Sequence, residues 1–270
     1  MPYLRRVRPM LPAVLLIAAA CGLVACDVVM NSMEGGIGGG RFKAEKTYAK
    51  TFQLGAAGTV EIVNTNGKIT VEAVDGTTVE VKATIVAKGA SDEAAAELLK
   101  QIEMKEEASP TRVRLEAKPP SRRSVIEVVY VLRVPRSAKV DLQNVNGIID
   151  ITGVKAGVKA ETTNGGVKGR DLAGAVNAST TNGSLDIQMA SVGPDGVKLD
   201  TTNGGIELTL PADAKATLNA RCVNGGIAVS DLPFEKDADS SRRKVDGKIN
   251  GGGPVLSLET VNGGVHVRQK

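Results

Sequence analysis

The pair Asn-Gly recurs seven times in one setting, and this recurrence limits the fold more than any other feature. The segments are VEIVNTNGKITV from Val60, VDLQNVNGIIDI from Val140, VKAETTNGGVKG from Val158, VNASTTNGSLDI from Val176, VKLDTTNGGIEL from Val197, TLNARCVNGGIAV from Thr217 and VLSLETVNGGVHV from Val255. Their asparagines are Asn66, Asn146, Asn164, Asn182, Asn203, Asn224 and Asn262, and from the second to the sixth they are spaced by 18, 18, 21 and 21 residues. A period of this size marks a chain wound into stacked coils.

The period can be read position by position. Six residues before each Asn stand Val60, Val140, Val158, Val176, Val197, Leu218 and Leu256, and four before stand Ile62, Leu142, Ala160, Ala178, Leu199, Ala220 and Leu258. Two before stand Asn64, Asn144, Thr162, Thr180, Thr201, Cys222 and Thr260, and three after stand Ile69, Ile149, Val167, Leu185, Ile206, Ile227 and Val265. Charged and polar residues fill the alternate positions, so one strand face is apolar and the other solvated. The pattern predicts an all-β chain, a parallel β-helix or β-solenoid with Asn-Gly corners. Each Asn shares parity with the inward set, which predicts amides turned inward and stacked as an asparagine ladder. The same dipeptide also signals a type I′ hairpin and hence an antiparallel meander. A hairpin gives no reason for the same side chain to stand two residues before every turn, whereas stacked coils do. A second set of corners is expected at Gly153, Gly157, Gly169, Gly174, Gly193, Gly196 and Pro211, with the five coils from Val140 onward contiguous.

Composition agrees with coils. Hydrophobic residues make up 42% of the chain but aromatics only 2%, so the core must be Val, Ile, Leu, Ala and Thr. Such residues suit strands. The same scarcity of aromatics, with only short basic clusters such as Arg122-Arg123 and Arg242-Arg243-Lys244, counts against nucleic acid as a partner. Between the first and second Asn-Gly pairs, residues 46–139 read as an N-terminal β region. Within it, VDGTTVEVKATIVAKG reads as a strand pair and residues 91–107 as one short helix, begun by Ser91 and striped with Ala95, Leu98, Leu99 and Ile102. Residues 140–232 are the regular coils, 233–254 a protruding loop insertion, and 255–270 a terminal coil.

The N-terminus carries a separate message. Arg5, Arg6 and Arg8 precede the apolar run MLPAVLLIAAA, which is too short to cross a bilayer as a stable helix and reads as a secretory signal peptide over residues 1–25. The following Leu-Val-Ala-Cys resembles the bacterial lipobox. That resemblance implies that Cys26 receives diacylglycerol and becomes the first residue of the mature lipoprotein, with 26–45 as the lipidated Cys and a Gly-rich tether. Cys21, an ordinary signal-peptidase cut and an uncleaved anchor are the other readings. After cleavage one thiol, Cys222, remains, which excludes a disulfide framework.

With YVLRVPRSAKVDLQNVNGIIDI and the TTNGG coils in view, the chain resembles the bacterial β-strand-repeat family of adhesin-like proteins. These carry an auto-transporter adhesin head-like domain of unknown function. The resemblance covers roughly residues 55–268. It implies an exported or membrane-attached protein of the cell envelope, and it supplies no catalytic residues.

The residues themselves offer little chemistry. No His/Cys/Asp cluster has metal-ligand spacing, no phosphate loop occurs, and no cofactor is implied. The strongest enzymatic case is the outward column four residues after each Asn: Thr70, Asp150, Lys168, Asp186, Glu207, Ala228 and His266. There Asp186 and Glu207 would lie about 5 Å apart on adjacent coils, a separation that suits a retaining glycosidase pair. No aromatic platform accompanies them. The leading expectation is a non-catalytic surface binding or scaffold module, with the membrane as partner through its lipid and an envelope polymer, glycan or protein as ligand. An envelope-stress sensor or regulator that binds a membrane partner is second, and a polysaccharide-active enzyme third.

Overall fold

The computed structural model describes residues 42–121 and 124–270. The leader, Cys26 and Arg122-Arg123 lie outside them. Among the described residues the chain begins with β1 (Phe42–Gln53), then β2 (Thr59–Val63), β3 (Ile69–Val74) and β4 (Thr78–Gly89). The helix α1 (Asp92–Gln101) follows, and after it β5 (Glu103–Ser109), β6 (Arg112–Lys118) and β7 (Val125–Pro135). The regular coils are strand pairs. They are β8 (Lys139–Asn146) with β9 (Ile149–Thr152), β10 (Gly157–Asn164) with β11 (Val167–Leu172), and β12 (Ala175–Asn182) with β13 (Leu185–Met189). Next come β14 (Val197–Asn203) with β15 (Ile206–Leu210), then β16 (Ala216–Asn224) with β17 (Ile227–Ser230). The chain closes with β18 (Phe234–Lys236), β19 (Lys244–Ile249), and β20 (Val255–Asn262) with β21 (Val265–Gln269).

Each coil places its first strand in one sheet and its second in the other. The first sheet runs β1-β4-β7-β3-β9-β11-β13-β15-β21-β17, and the second runs β18-β19-β16-β20-β14-β12-β10-β8-β2-β6-β5. The chain is therefore all-β with two long, mainly parallel sheets, and the core lies between them. Register settles the choice between coils and hairpins: Val158 stands beside Val176, Ala160 beside Ala178 and Asn164 beside Asn182, all parallel. The inward columns are buried throughout, from Val60, Ile62 and Ile69 to Leu256, Leu258 and Val265. Like packs on like because equivalent positions in neighbouring coils lie about 4.8 Å apart.

Spatial order is not chain order. β20 and β21 sit between β14–β15 and β16–β17, pairing in parallel with both. The same happens at the other end, where β2 and β3 sit between β6–β7 and β8–β9. The expectation of five contiguous coils with 255–270 as the terminal one is thus corrected. All the coils carry the same inward residue types, so the repeat specifies a stack without specifying who neighbours whom.

Five further expectations change. VDGTTVEVKATIVAKG supplies β4, but β4 does not pair with β3, because β7 lies between them. The helix ends at Gln101, not 107, because residues 103–109 are drawn into antiparallel pairing with β6. Its Ser91 Oγ accepts from the Ala94 N–H at 3.2 Å, and Lys46 Nζ donates to the Leu99 and Ile102 carbonyls at 3.0 and 2.8 Å. A cation there satisfies carbonyls that a helix end leaves open. Ala95, Leu99 and Ile102 are buried, so the helix covers the core where β1 and β4 extend the first sheet. Residues 233–254 are not a protruding loop, since β18 and β19 continue the second sheet antiparallel beyond β16, with Arg221 binding Asp246 at 2.6 and 3.1 Å. That arginine holds the Asp246 carboxyl below its ordinary range. The tether stops short of residue 45, because β1 already pairs with β4 from Phe42. Gly169 lies inside β11 instead of at a corner: a Cβ there would meet Leu172 Cδ1 at 2.6 Å, and its absence gives Leu172 room in the core.

Candidate functional site

The most repetitive surface lies where the two sheets meet at the Asn-Gly pairs. Strand β10 ends at Asn164 in the second sheet and β11 starts at Val167 in the first, so the crossing takes only Gly165 and Gly166. Two hydrogen-bonded columns run along this edge. In the outer one Asn146 Nδ2 donates to Asn66 Oδ1, Asn164 to Asn146 and Asn182 to Asn164, each at 2.8 Å. Asn203 donates to Asn182 at 2.9 Å, Asn262 to Asn203 at 2.7 Å and Asn224 to Asn262 at 2.8 Å. Asn66 Nδ2 closes the series on the Ile126 carbonyl at 3.0 Å.

These amides do not turn inward. Asn146, Asn164, Asn182, Asn203, Asn224 and Asn262 are exposed and Asn66 is half-buried. Alternation breaks one residue earlier: Thr163 and Asn164 are both exposed, and the pairing register passes from Thr162 directly to Asn164. The chain rotates as it leaves the sheet, and the parity that held along the strand is lost there.

The inner column, two residues before each Asn, occupies the inside of the corner and does more than pack. Thr162 donates to the Gly147 carbonyl at 3.2 Å, Thr180 to Gly165 at 2.7 Å, Thr201 to Gly183 at 3.1 Å and Thr260 to Gly204 at 2.9 Å. Asn144 does the same to Gly67 at 2.8 Å. A run of Thr and Asn among aliphatic columns was the available signal, since a buried hydroxyl needs an acceptor. Thr180→Val is expected to cost about 1–2 kcal/mol by leaving the Gly165 carbonyl without that donor, and Asn182→Ala less than about 1 kcal/mol because water replaces its exposed bonds. Thermal denaturation of the two variants checks the order; the reverse order would mean that the outer column carries the corner.

Beside the amide column, the outer face of the second sheet is a shallow open trough. Two depressions of about 370 and 570 Å³ share Thr162 and Ser179 and so form one channel across successive coils. Gln143, Glu161, Ser179, Asp200 and Glu259 line it three residues before each Asn, and Thr65, Thr163, Thr181 and Thr202 line it one before. Val145, Val223 and Val261 take the Thr place in the remaining coils and are 40%, 54% and 40% exposed. The trough offers hydroxyl, amide and carboxylate groups along successive coils, with the guanidinium groups of Arg221 and Arg243 at one end, and no enclosed pocket.

The carboxylate column on the first sheet is differently equipped. Asp186 stands beside Glu207, and the interleaved last coil puts His266, not Ala228, next to Glu207. Each acid already has a cation. Arg170 binds Asp186 through both of its terminal nitrogens, Nη1 at 2.8 Å; Arg268 reaches Glu207 at 2.5 Å; and Lys68 pairs with Asp150. The bond to Asp186 holds the Arg170 guanidinium above its ordinary value. Arg170 and Arg268 stand six residues after their Asn, two beyond the acids on the same face, and the column-by-column reading missed them by stopping at the fourth. Among the described residues no group of three or more His, Cys, Asp or Glu could hold a metal ion. Cys222 is buried in the inner column. No helix among the described residues is long and apolar enough to cross a membrane.

The family model Toastrack DUF4097 matches residues 55–268. The chain belongs to the Toastrack DUF4097 family. Among solved structures, this Toastrack chain is similar to a provisionally assigned cell adhesion protein of Clostridium sporogenes, at 15% identity and a TM-score of 0.49, covering 84% of this chain and 100% of that one. It is also similar to a provisionally assigned adhesin of Bacteroides fragilis, at 10% identity and a TM-score of 0.41, covering 83% and 97%. No curated protein matches it.

Proposed function

We propose that this Toastrack protein is a non-catalytic, adhesin-like binding module of the bacterial cell envelope, held to the membrane by a lipid on Cys26 and gripping an extended glycan along the trough. The observation that carries the reading is the continuity of that trough. A ligand that repeats along its length meets one outward side chain from each of the trough's two columns at every coil, about 4.8 Å apart, most of them hydroxyl, amide or carboxylate. Mostly polar columns, without an aromatic side chain and with only the separate valines Val145, Val223 and Val261, suit a hydrated polysaccharide better than a protein partner, whose interfaces centre on clustered apolar hot spots. Residues 27–41 would reach at most about 50 Å from a lipid on Cys26, enough to hold the trough clear of the headgroups.

The test uses purified envelope polysaccharide and envelope protein as separate probes against the full chain. Polysaccharide binding is expected, and the triple variant Thr163→Arg, Thr181→Arg, Thr202→Arg should weaken it by about tenfold or more by filling the trough with charged side chains. Retention of protein alone, or binding indifferent to the triple variant, would sink the reading. For the anchor, Cys26→Ser is expected to abolish labelling by palmitate and to move the protein out of the membrane fraction. Undiminished labelling would place the lipid elsewhere.

A further inference from the structure

The coil β20–β21 is held between two coils that precede it in the chain. Its walls, β14–β15 and β16–β17, are joined directly through residues 211–215, so they stay linked to each other whether or not β20–β21 lies between them. The chain enters this slot through Asn250, Gly251, Gly252 and Gly253, with φ values of 48°, 84° and 92° at the first three. Asn250 is pinned to the slot's own linker, donating to the Ala212 and Ala214 carbonyls at 3.0 and 2.8 Å. A glycine-rich pivot anchored at the mouth of a slot is suited to swinging one coil in or out.

What the slot demands is specific. It takes four buried aliphatic side chains, Leu256, Leu258, Val265 and Val267, and a hydroxyl from Thr260 for the Gly204 carbonyl. It also takes an amide that donates to Asn203 and accepts from Asn224, which Asn262 supplies. An empty slot would expose a facing pair of strand edges in each sheet, β14 and β16 in one and β15 and β17 in the other, a template for a further coil. A second copy of the same chain carries a segment that meets every one of these demands.

We propose that β20–β21 is an exchangeable coil, able to leave its own slot and fill that of a second copy, so that the protein assembles by coil donation. Exchange conserves every contact outside the pivot, so the balance between single and joined chains is set by concentration.

The register provides a direct test, because Thr260 stands beside Cys222 across the β16–β20 pair. Neighbouring strand positions lie within disulfide range. All copies are full chains with Cys21→Ser and Cys26→Ser. The first adds Cys222→Ser and Thr260→Cys, the second keeps Cys222 and Thr260, and a third combines Cys222 with Thr260→Cys. The first and second are mixed at high concentration, taken through a cycle of moderate urea, and oxidised. Covalent heterodimers are expected at about ten times the level given by a partner whose only thiol is the outward His266→Cys, and their yield should rise with mixing concentration. The third copy should close its disulfide within one chain, which verifies that the position is tolerated. If it closes and the mixed copies give no heterodimer above the outward control, the exchange is overturned.

Discussion

Gly204→Ala is expected to cost about 3–4 kcal/mol in equilibrium urea unfolding, while Gly205→Ala, one residue further on, changes stability by less than about 0.5 kcal/mol. The two glycines share a corner and differ in what lies above them. A Cβ on Gly204 would stand 1.8 Å from the Gly183 carbonyl oxygen, a backbone atom of the neighbouring coil. That oxygen cannot yield, because it also accepts the Thr201 hydroxyl at 3.1 Å. A Cβ on Gly205 meets nothing nearer than 3.5 Å. The first glycine is therefore required by the approach of one coil to the next, not by turn formation. The same jam recurs at Gly147, Gly165, Gly183, Gly225 and Gly263, each facing a glycine carbonyl at 1.9–2.1 Å. Equal losses at both positions would mean that the corner needs two glycines for its dihedral angles alone.

Ending the chain after Pro254 is expected to be the most damaging single change. It removes Leu256, Leu258, Val265 and Val267, all fully buried, and each apolar side chain of this kind contributes about 1.5–3 kcal/mol. The distinctive outcome is where the damage falls. A coil at the end of a stack would fray locally, but this one lies inside, so amide hydrogen exchange should accelerate in β14 and β15 as well as in β16 and β17. Loss of protection confined to β16–β19 would contradict the interleaved order.

How much of this was legible in the sequence follows from what a repeat encodes. Val158, Ala160 and Val167 announce an inward face and a turn, and the parallel coils follow from their recurrence. The identity of neighbours does not follow. Leu256 and Leu258 present the same faces as Leu218 and Ala220, so nothing local says that the last coil lies inside the stack. Asn64 and Asn144 on one side of a corner and Asn66 and Asn146 on the other are also hard to rank by type alone. Parity assigned the outer set to the interior because it assumes unbroken alternation, and the alternation breaks between Thr163 and Asn164, both exposed. On the first sheet Asp186 and Glu207 were visible as a pair. Their ownership by Arg170 and Arg268 was hidden because one of those cations arrives from the interleaved coil.

The outer amide column has a sense. From Asn224 to Asn66 every side chain gives its N–H in the same direction and receives at its carbonyl from the other, until Asn66 ends on the Ile126 carbonyl. The trough alongside is thus bordered by a row of dipoles that all point one way. To a ligand with distinguishable ends, such as the polysaccharide proposed above, the two orientations along this edge would be unequal at every step.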